Sequence, residues 1–301
     1  MQEPPEYNQK DATDCHKIAP QSDSAYDKEI ALGFVLYNPT SGSIQRIIST
    51  ANRGYAIYVY INSIREEEFN PLTFQKTICP ISGDSNSGLA NGLTVICKAA
   101  RNSGFKALLY FDQDTVFENT TLDYISSYYD IVLERNDDFC KSIVCTTFRD
   151  MPDYRRLNHI SSHKYPGFTI ENVYFTINSG SLYFLEKFGD YEWFDKKYFV
   201  DGVDYSFCIN SIKNKCRITE VYNTLGIDHE IEQGNWSVMV LRKRLTGRTY
   251  PFQRNISFVR AYTKLFFSAF GLKSVKPLVF LIKSLLFYLF QQALFRIKTG
   301  V

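Results

Sequence analysis

The sequence predicts an α/β fold of the Rossmann-like kind, a mostly parallel sheet with helices on both faces, followed by a C-terminal helical extension. Three observations predict it. Between Ile30 and Asp114, apolar runs of strand length alternate with helical segments, the βαβ order that builds parallel sheets. The 301 residues are 45% hydrophobic and 22% charged, values of a globular chain that exclude wholesale disorder. Residues 256–301 read as helix but are unusually apolar.

Residues 1–28 lack periodicity and read as a flexible leader, without the apolar stretch of a secretory signal. Residues 29–255 form the α/β domain and 256–301 the extension. Ile30–Tyr37 (IALGFVLY) is apolar throughout, as a strand covered on both faces must be. Asn38-Pro39 ends it, and Ser43–Asn52 follows as a helix with Ile44, Ile47 and Ile48 on one side. Tyr55–Ile61 is a second strand, and the charge run Glu66–Glu68 reads as a solvated loop. Ile78–Ile81 is a short third strand, Leu93–Arg101 a helix closed by Asn102-Ser103-Gly104, and Ala107–Phe111 a fourth strand. Further on, Leu182–Phe188 and Tyr205–Lys213 read as helices and Ile218–Val221 as a strand. No repeat of solenoid length is visible.

Charge is unevenly spread. Of the 34 Lys and Arg, 12 lie between Gln233 and Val301, where there is no Asp or Glu; the preceding residues hold 22 basic against 32 acidic side chains. A basic, aromatic tail of this kind can face nucleic acid or anionic lipid. The tail's basic residues are diluted by contiguous apolar runs, which argues for no nucleic acid. Pro277–Phe295, broken by Lys283, Gln291 and Gln292, suits a helix lying in a membrane interface better than a spanning one. Packing of the same helix on the α/β domain is the alternative. Seven cysteines without a CxxC pair speak against a zinc ribbon or thioredoxin-like site and read as reduced core thiols.

In a parallel sheet, ligands gather at the carboxyl ends of strands, here Asn38, Asn62 and Asp112-Gln113-Asp114. Two carboxylates flanking one residue after a strand can hold a hard divalent cation, Mg²⁺ or Mn²⁺, that bridges phosphates; a plain polar turn is the other reading. Ser179-Gly180 permits close backbone approach to an acceptor or phosphate, or is an ordinary turn. Trp193 and Phe194 are candidates for an acceptor cleft or for core packing.

YNP (37–39), INS (61–63), NSGLANG (86–92), YFDQD (110–114), the segment 177–209 and DHE (228–230) occur in the order and spacing of family 2 glycosyltransferases with the GT-A fold. The chain resembles that family over about residues 30–260, and within it the bacterial rhamnosyltransferase-like branch. The resemblance implies a donor side at Tyr37, Asn38, Asn62, Asn86, Gly88, Asp112 and Gln113. It implies a metal site at Asp112, Asp114 and His229, and an acceptor side at Ser179, Gly180, Asp201 and Trp193. Asp204 falls where the family places its general base; capping of the helix at 205–213 is the bland reading. Asp201, three residues earlier, can share a side with it. His229 matches the family's late histidine, since a neutral imidazole can ligate a metal; a structural histidine is the alternative. Two positions depart from the pattern. Ile61 stands where the family often has a base-contacting Asp, and Val203-Asp204 replaces its ED pair. The implied activity is inverting transfer of a sugar, with dTDP-rhamnose the favoured nucleotide-diphosphate donor, to a lipid-linked oligosaccharide acceptor at the cytoplasmic face of the bacterial inner membrane. The rival nucleotidyltransferase needs a basic phosphate loop after the first strand, and residues 32–43 contain no Lys or Arg. A membrane-peripheral scaffold with a degenerate GT-A domain is the non-catalytic rival.

Overall fold

In the computed structural model, β1 (Ile30–Tyr37) buries seven of its eight residues between two parallel neighbours. The structure describes residues 29–63, 66–73, 75–83, 86–123, 125, 128–129, 139–144, 157–165, 168–188, 194–222, 227–229, 235–240, 243–248 and 250–299. The period of two along β1 divides its side chains between two layers. Ala31 and Val35 face one core cluster; Ile30, Leu32, Phe34 and Leu36 face the other. That is why the run shows no polar alternation.

The strands are β1, β2 (Ile57–Ser63), β3 (Ile78–Ser82), β4 (Ala107–Asp112), β5 (Thr115–Val116), β6 (Phe139–Val144), β7 (His159–Tyr165), β8 (Phe168–Val173), β9 (Ser181–Phe184), β10 (Arg217–Tyr222), β11 (Asp228–His229), β12 (Asn235–Val240) and β13 (Lys243–Arg248). Nine of them form one sheet in the order β3-β2-β1-β4-β9-β6-β10-β8-β7. The first four are mutually parallel, as expected. Strand β9 enters antiparallel between β4 and β6, and β10 continues parallel to β6. The remaining strands make two small sheets, β5 with β11 and β12 with β13.

Local chemistry sets the helix bounds. Helix α1 (Ser41–Ala51) starts two residues before its expected position because the Thr40 hydroxyl accepts the Ser43 N–H at 3.1 Å. The acidic run expected to be a loop opens α2 (Glu66–Thr73) instead. Carboxylates suit the positive end of a helix dipole, and buried Leu72 anchors the turn. Helix α3 (Gly88–Asn102) begins five residues early, its glycines reading falsely as loop. Gly92 lies so close to the sheet that a Cβ there would stand 2.9 Å from Val35 and Tyr60. The expected helix at 182–188 is β9 followed by a 3-10 turn, Leu185–Phe188. A short apolar run carries no period of its own, and pairing with β4 and β6 decides it. Helix α4 (Val203–Lys213) is followed late in the chain by α5 (Phe252–Ala269) and α6 (Lys276–Thr299).

The boundary expected between residues 255 and 256 does not separate two packing units. Ala261, Tyr262, Leu265, Ala269, Phe280 and Leu281 sit in the same core cluster as Ala31, Tyr58 and Phe207. Phe280 stacks on Phe175 at 5.2 Å and meets Tyr205 edge-on at 5.9 Å. Helices α5 and α6 therefore complete one layer of the α/β core. Phe194 is core as well, fully buried and stacked on Phe207 at 4.8 Å. Cys97, Cys208 and Cys216 carry free thiols, but Cys79, buried in β3, is disulfide-bonded, against the expectation that all were reduced. Spacing in sequence cannot reveal which thiols meet across a fold.

Candidate active site

β4 runs parallel to β1 until Val35 faces Asp112, and the chain then turns through Gln113 and Asp114 into β5. Three contacts hold that turn. The Tyr37 N–H donates to Gln113 Oε1 at 2.8 Å, and Gln113 Nε2 returns a bond to the Tyr37 carbonyl at 3.1 Å. An Arg46 N–H donates to the Gln113 carbonyl at 3.3 Å. From behind, the Asp112 N–H donates to the Ser179 hydroxyl at 3.2 Å, and that hydroxyl lies 2.5 Å from Thr115 Oγ1. Ser179 is completely buried, and the Gly180 N–H donates to the Tyr110 carbonyl at 2.8 Å. Neither is among the residues lining the cavities described below. The structure places both behind the acidic turn, so they position it. The Tyr110 hydroxyl donates to Asp112 Oδ1 at 2.8 Å. Burial, reinforced by the Asp112 charge, pushes this phenol's pKa well up, so it keeps its proton and donates.

Tyr37, Asn62, Asn86, Gly88, Asp112, Gln113 and Asp114 line one cavity of about 520 Å³, together with Phe199, Tyr250 and Arg254. Six of these are the expected donor-side residues, Asn38 being the exception, and Asp114 comes from the expected metal set. Asn38 adopts a left-handed conformation (φ 45°) that asparagine tolerates, and its Oδ1 accepts the Ser63 hydroxyl at 2.7 Å. It fastens the end of β1 to β2. Asn62 Oδ1 accepts the Ser87 N–H at 3.0 Å, which ties the start of α3 to the strand end. Ile61 is buried in the core layer with Leu32, so the position serves packing.

Gly88 is needed where it stands. Its φ is +83°, and an added Cβ would lie 2.5 Å from the Phe199 carbonyl that accepts the Leu89 N–H. Gly88→Ala is expected to cost about 2–3 kcal/mol of stability through this strain and clash. Chemical denaturation checks it; an unchanged midpoint would show that Phe199 yields freely.

A second cavity of about 390 Å³ adjoins the first and shares Leu89, Asp112, Asp114, Val200 and Tyr250 with it. Asp201 and Asp204 line it, with Asn178, Phe258 and Tyr262. Gly202, left-handed at φ 83°, is the N-cap of α4 and makes no side-chain capping bond. Asp204 is thus a first-turn residue, not the cap. Its Oδ1 accepts the Tyr205 N–H at 2.9 Å, and the helix N-terminus favours its charge. Asp201 lies before the helix, half-buried, 3.6 Å from an Arg254 nitrogen. Burial raises its pKa, and the Arg254 charge opposes the rise. Four carboxylates, Asp112, Asp114, Asp201 and Asp204, therefore line one cavity.

His229 is placed by backbone register, opposite Thr115 in the β5/β11 pair and one position beyond Asp114. Trp193 lies outside the described residues. Among the described residues, no group of three or more His, Cys, Asp or Glu side chains is arranged to hold a metal ion. Asp112 and Asp114 nonetheless both line both cavities. Two hard oxygen donors suit a cation that completes its shell with phosphate and water. Tyr250, Arg254, Phe258 and Tyr262 were not among the expected site residues. The spacing of four from Arg254 to Phe258 to Tyr262, one helix face, was the available signal; Tyr250 lies before the helix and had none.

A mixed, largely parallel sheet with acidic side chains gathered at its strand ends and helices on its faces is the GT-A architecture of glycosyltransferases. No protein-family model matches the sequence, and no curated protein matches it. Solved structures do. The crystal structure of residues 1–349 of TarS from S. aureus superposes with a TM-score of 0.50 at 12% identity, covering 84% of this chain and 70% of that one. The longer TarS structure gives 0.52 at 11% identity over 82% of this chain, which spans only 40% of TarS there. At such identities the likeness is one of fold.

Proposed function

We propose that the protein is an inverting glycosyltransferase that moves a sugar from a nucleotide-diphosphate donor to a hydroxyl of a glycan acceptor. The observation that carries the reading is the meeting of two cavities at Asp112 and Asp114, one lined by the strand-end residues and the other by Asp204 and Asp201. The nucleotide sugar occupies the first cavity with its diphosphate against the acidic turn. The acceptor enters the second, beside Tyr205, Phe258 and Tyr262. The acceptor oxygen attacks the anomeric carbon while Asp204 takes its proton, the bond from that carbon to the diphosphate oxygen breaks, and the configuration inverts. Asp112 and Asp114 would hold a divalent cation, Mg²⁺ or Mn²⁺, which neutralises the diphosphate charge when bound. Gln113, Ser179 and Thr115 fix the turn, so those carboxylates need no rearrangement during transfer.

By the resemblance in sequence, the sugar is rhamnose or another deoxysugar, offered as dTDP-rhamnose, and the acceptor is lipid-linked, made for a bacterial surface polysaccharide. The C-terminal helices support a membrane-bound acceptor. Among the described residues α6 is the one helix long and apolar enough to cross a membrane. One side of it is committed to the core through Phe280, Leu281 and Gln292, while Ile282, Leu286, Phe290 and Ile297 are exposed beside Lys283. A helix so divided lies flat, apolar face in the lipid and lysines toward anionic headgroups. The protein then works peripherally at the cytoplasmic face of the inner membrane.

A thermal-shift screen of dTDP-, UDP- and GDP-sugars with Mg²⁺ or Mn²⁺ tests the reading. The correct donor at about a hundredfold excess over its Kd is expected to stabilise the fold by about 2.7 kcal/mol. No shift with any of them would remove the assignment.

A further inference from the structure

The basic tail is not fully used by a membrane-facing role, because part of it lines an open cavity beside the acidic site. A third cavity, about 410 Å³, lies between Lys197–Asp201 and α5. Lys197, Arg254, Arg260 and Lys264 line it, and Asp201 is the sole carboxylate of the lining. That carboxylate is occupied by Arg254 at 3.6 Å. Among the described residues, Lys197, Arg260 and Lys264 make no ion pair. Lys264 reaches across the cavity mouth at the surface: its Nζ donates to the Lys197 carbonyl at 3.3 Å and stands 5.9 Å from the Tyr198 ring. Gln253 adds a neutral amide donor, while the Ser257 hydroxyl donates to the Gln253 carbonyl at 3.2 Å.

The spacing 253, 257, 260, 264 is one face of a helix. Arg260 and Lys264, four apart on that face, bring two positive charges within a turn of each other with no acid between them, a concentration of charge that an anion relieves. Charge-assisted bonds from lysine and arginine are what phosphate oxygens select, and the Gln253 amide suits a remaining oxygen. The cavity shares Val200 and Asp201 with the acceptor cavity, and Phe199, Val200 and Arg254 with the donor cavity; through Asp201 an anion held here stands beside the cavity that Asp204 lines.

We propose that this cavity is a phosphate-binding subsite that holds the phosphate or diphosphate of the acceptor. The proposal rests on the glycosyl-transfer reading for the identity of the bound molecule, and on the cavity alone for its charge. Such a subsite would align the acceptor by its anionic end and leave the hydroxyl to the acidic cavity.

The full chain is titrated calorimetrically with farnesyl diphosphate, with farnesol as the neutral control, at two salt concentrations. Wild type is expected to bind the diphosphate and not the alcohol, more weakly at high salt. Arg260→Gln/Lys264→Gln is expected to lose at least about tenfold in affinity, as two charge-assisted bonds are removed. Lys264→Arg, which keeps the charge, should retain binding. The stabilisation by nucleotide sugar should be the same in the double variant, since neither residue lines the donor cavity. Equal binding by wild type and double variant would overturn the subsite. So would loss of the nucleotide-sugar shift in the double variant, which would mark a general structural effect. Vesicles of phosphatidylglycerol and phosphatidylcholine form the third arm: if the two residues govern binding to them and not to farnesyl diphosphate, the phosphate is a headgroup and the acceptor assignment falls. Because the readout is binding, a protein that binds the diphosphate but transfers no sugar would sink the enzymatic reading and leave the subsite standing.

Discussion

Asp204→Asn is expected to lower the rate of sugar transfer by about 10²–10⁴-fold with donor affinity unchanged. The substitution is close to isosteric, and the amide oxygen can still accept the Tyr205 N–H that Asp204 Oδ1 accepts at 2.9 Å. Gly202, not Asp204, caps α4, so the helix start does not depend on the carboxylate. What is lost is a charged base at a helix N-terminus, in a cavity that also contains the acidic turn. The loss should therefore fall on kcat, with the thermal shift given by nucleotide sugar intact. Asp201 cannot easily substitute, because its carboxylate is engaged with Arg254. A variant with wild-type kcat would show that the proton goes elsewhere and would withdraw the general-base role from Asp204.

The half of the fold that positions the donor cavity was legible in the sequence for a physical reason. Strands buried on both faces must be apolar throughout, so β1, β2 and β4 announce themselves, and the polar residues that end them mark the ligand edge. Asn62 and Asp112 follow from that rule alone. The other half hides. Strand β9 is a four-residue apolar run that becomes a strand only by lying between β4 and β6, information that is tertiary. The role of Ser179 was visible as a small polar residue in a turn, but not that it would be wholly buried against Asp112 and Thr115. One part of the tail's role was not legible. Its charge and apolar content point to lipid, but they do not reveal that Arg254, Phe258 and Tyr262 on α5, with Tyr250 just before it, turn toward the cavities. Composition averages over faces, and a helix that packs on a core with one side and faces outward with the other defeats it.

Asp114→Ala is expected to act differently from Asp204→Asn, and the difference separates the two acidic groups. Asp114 lines both cavities, beside Asp112, whose Oδ1 is held by the buried, protonated Tyr110 hydroxyl at 2.8 Å. Asp114, which lines both cavities, is placed to serve a cation and the diphosphate together. Removing it should abolish both the nucleotide-sugar thermal shift and transfer. Charge stabilisation of a leaving diphosphate is worth several kcal/mol, so the rate should fall by more than about a thousandfold. EDTA applied to wild type should reproduce the loss, and added Mg²⁺ or Mn²⁺ should reverse it in wild type only. The fold should stay intact, because the turn is held through Gln113, Arg46 and Ser179, none of which touches the Asp114 side chain in doing so. Full wild-type activity in EDTA would end the metal reading while leaving Asp204 as base. An Asp114→Ala protein that kept the donor shift but lost transfer would move Asp114 from the donor to the acceptor cavity, a distinction the shared lining makes testable.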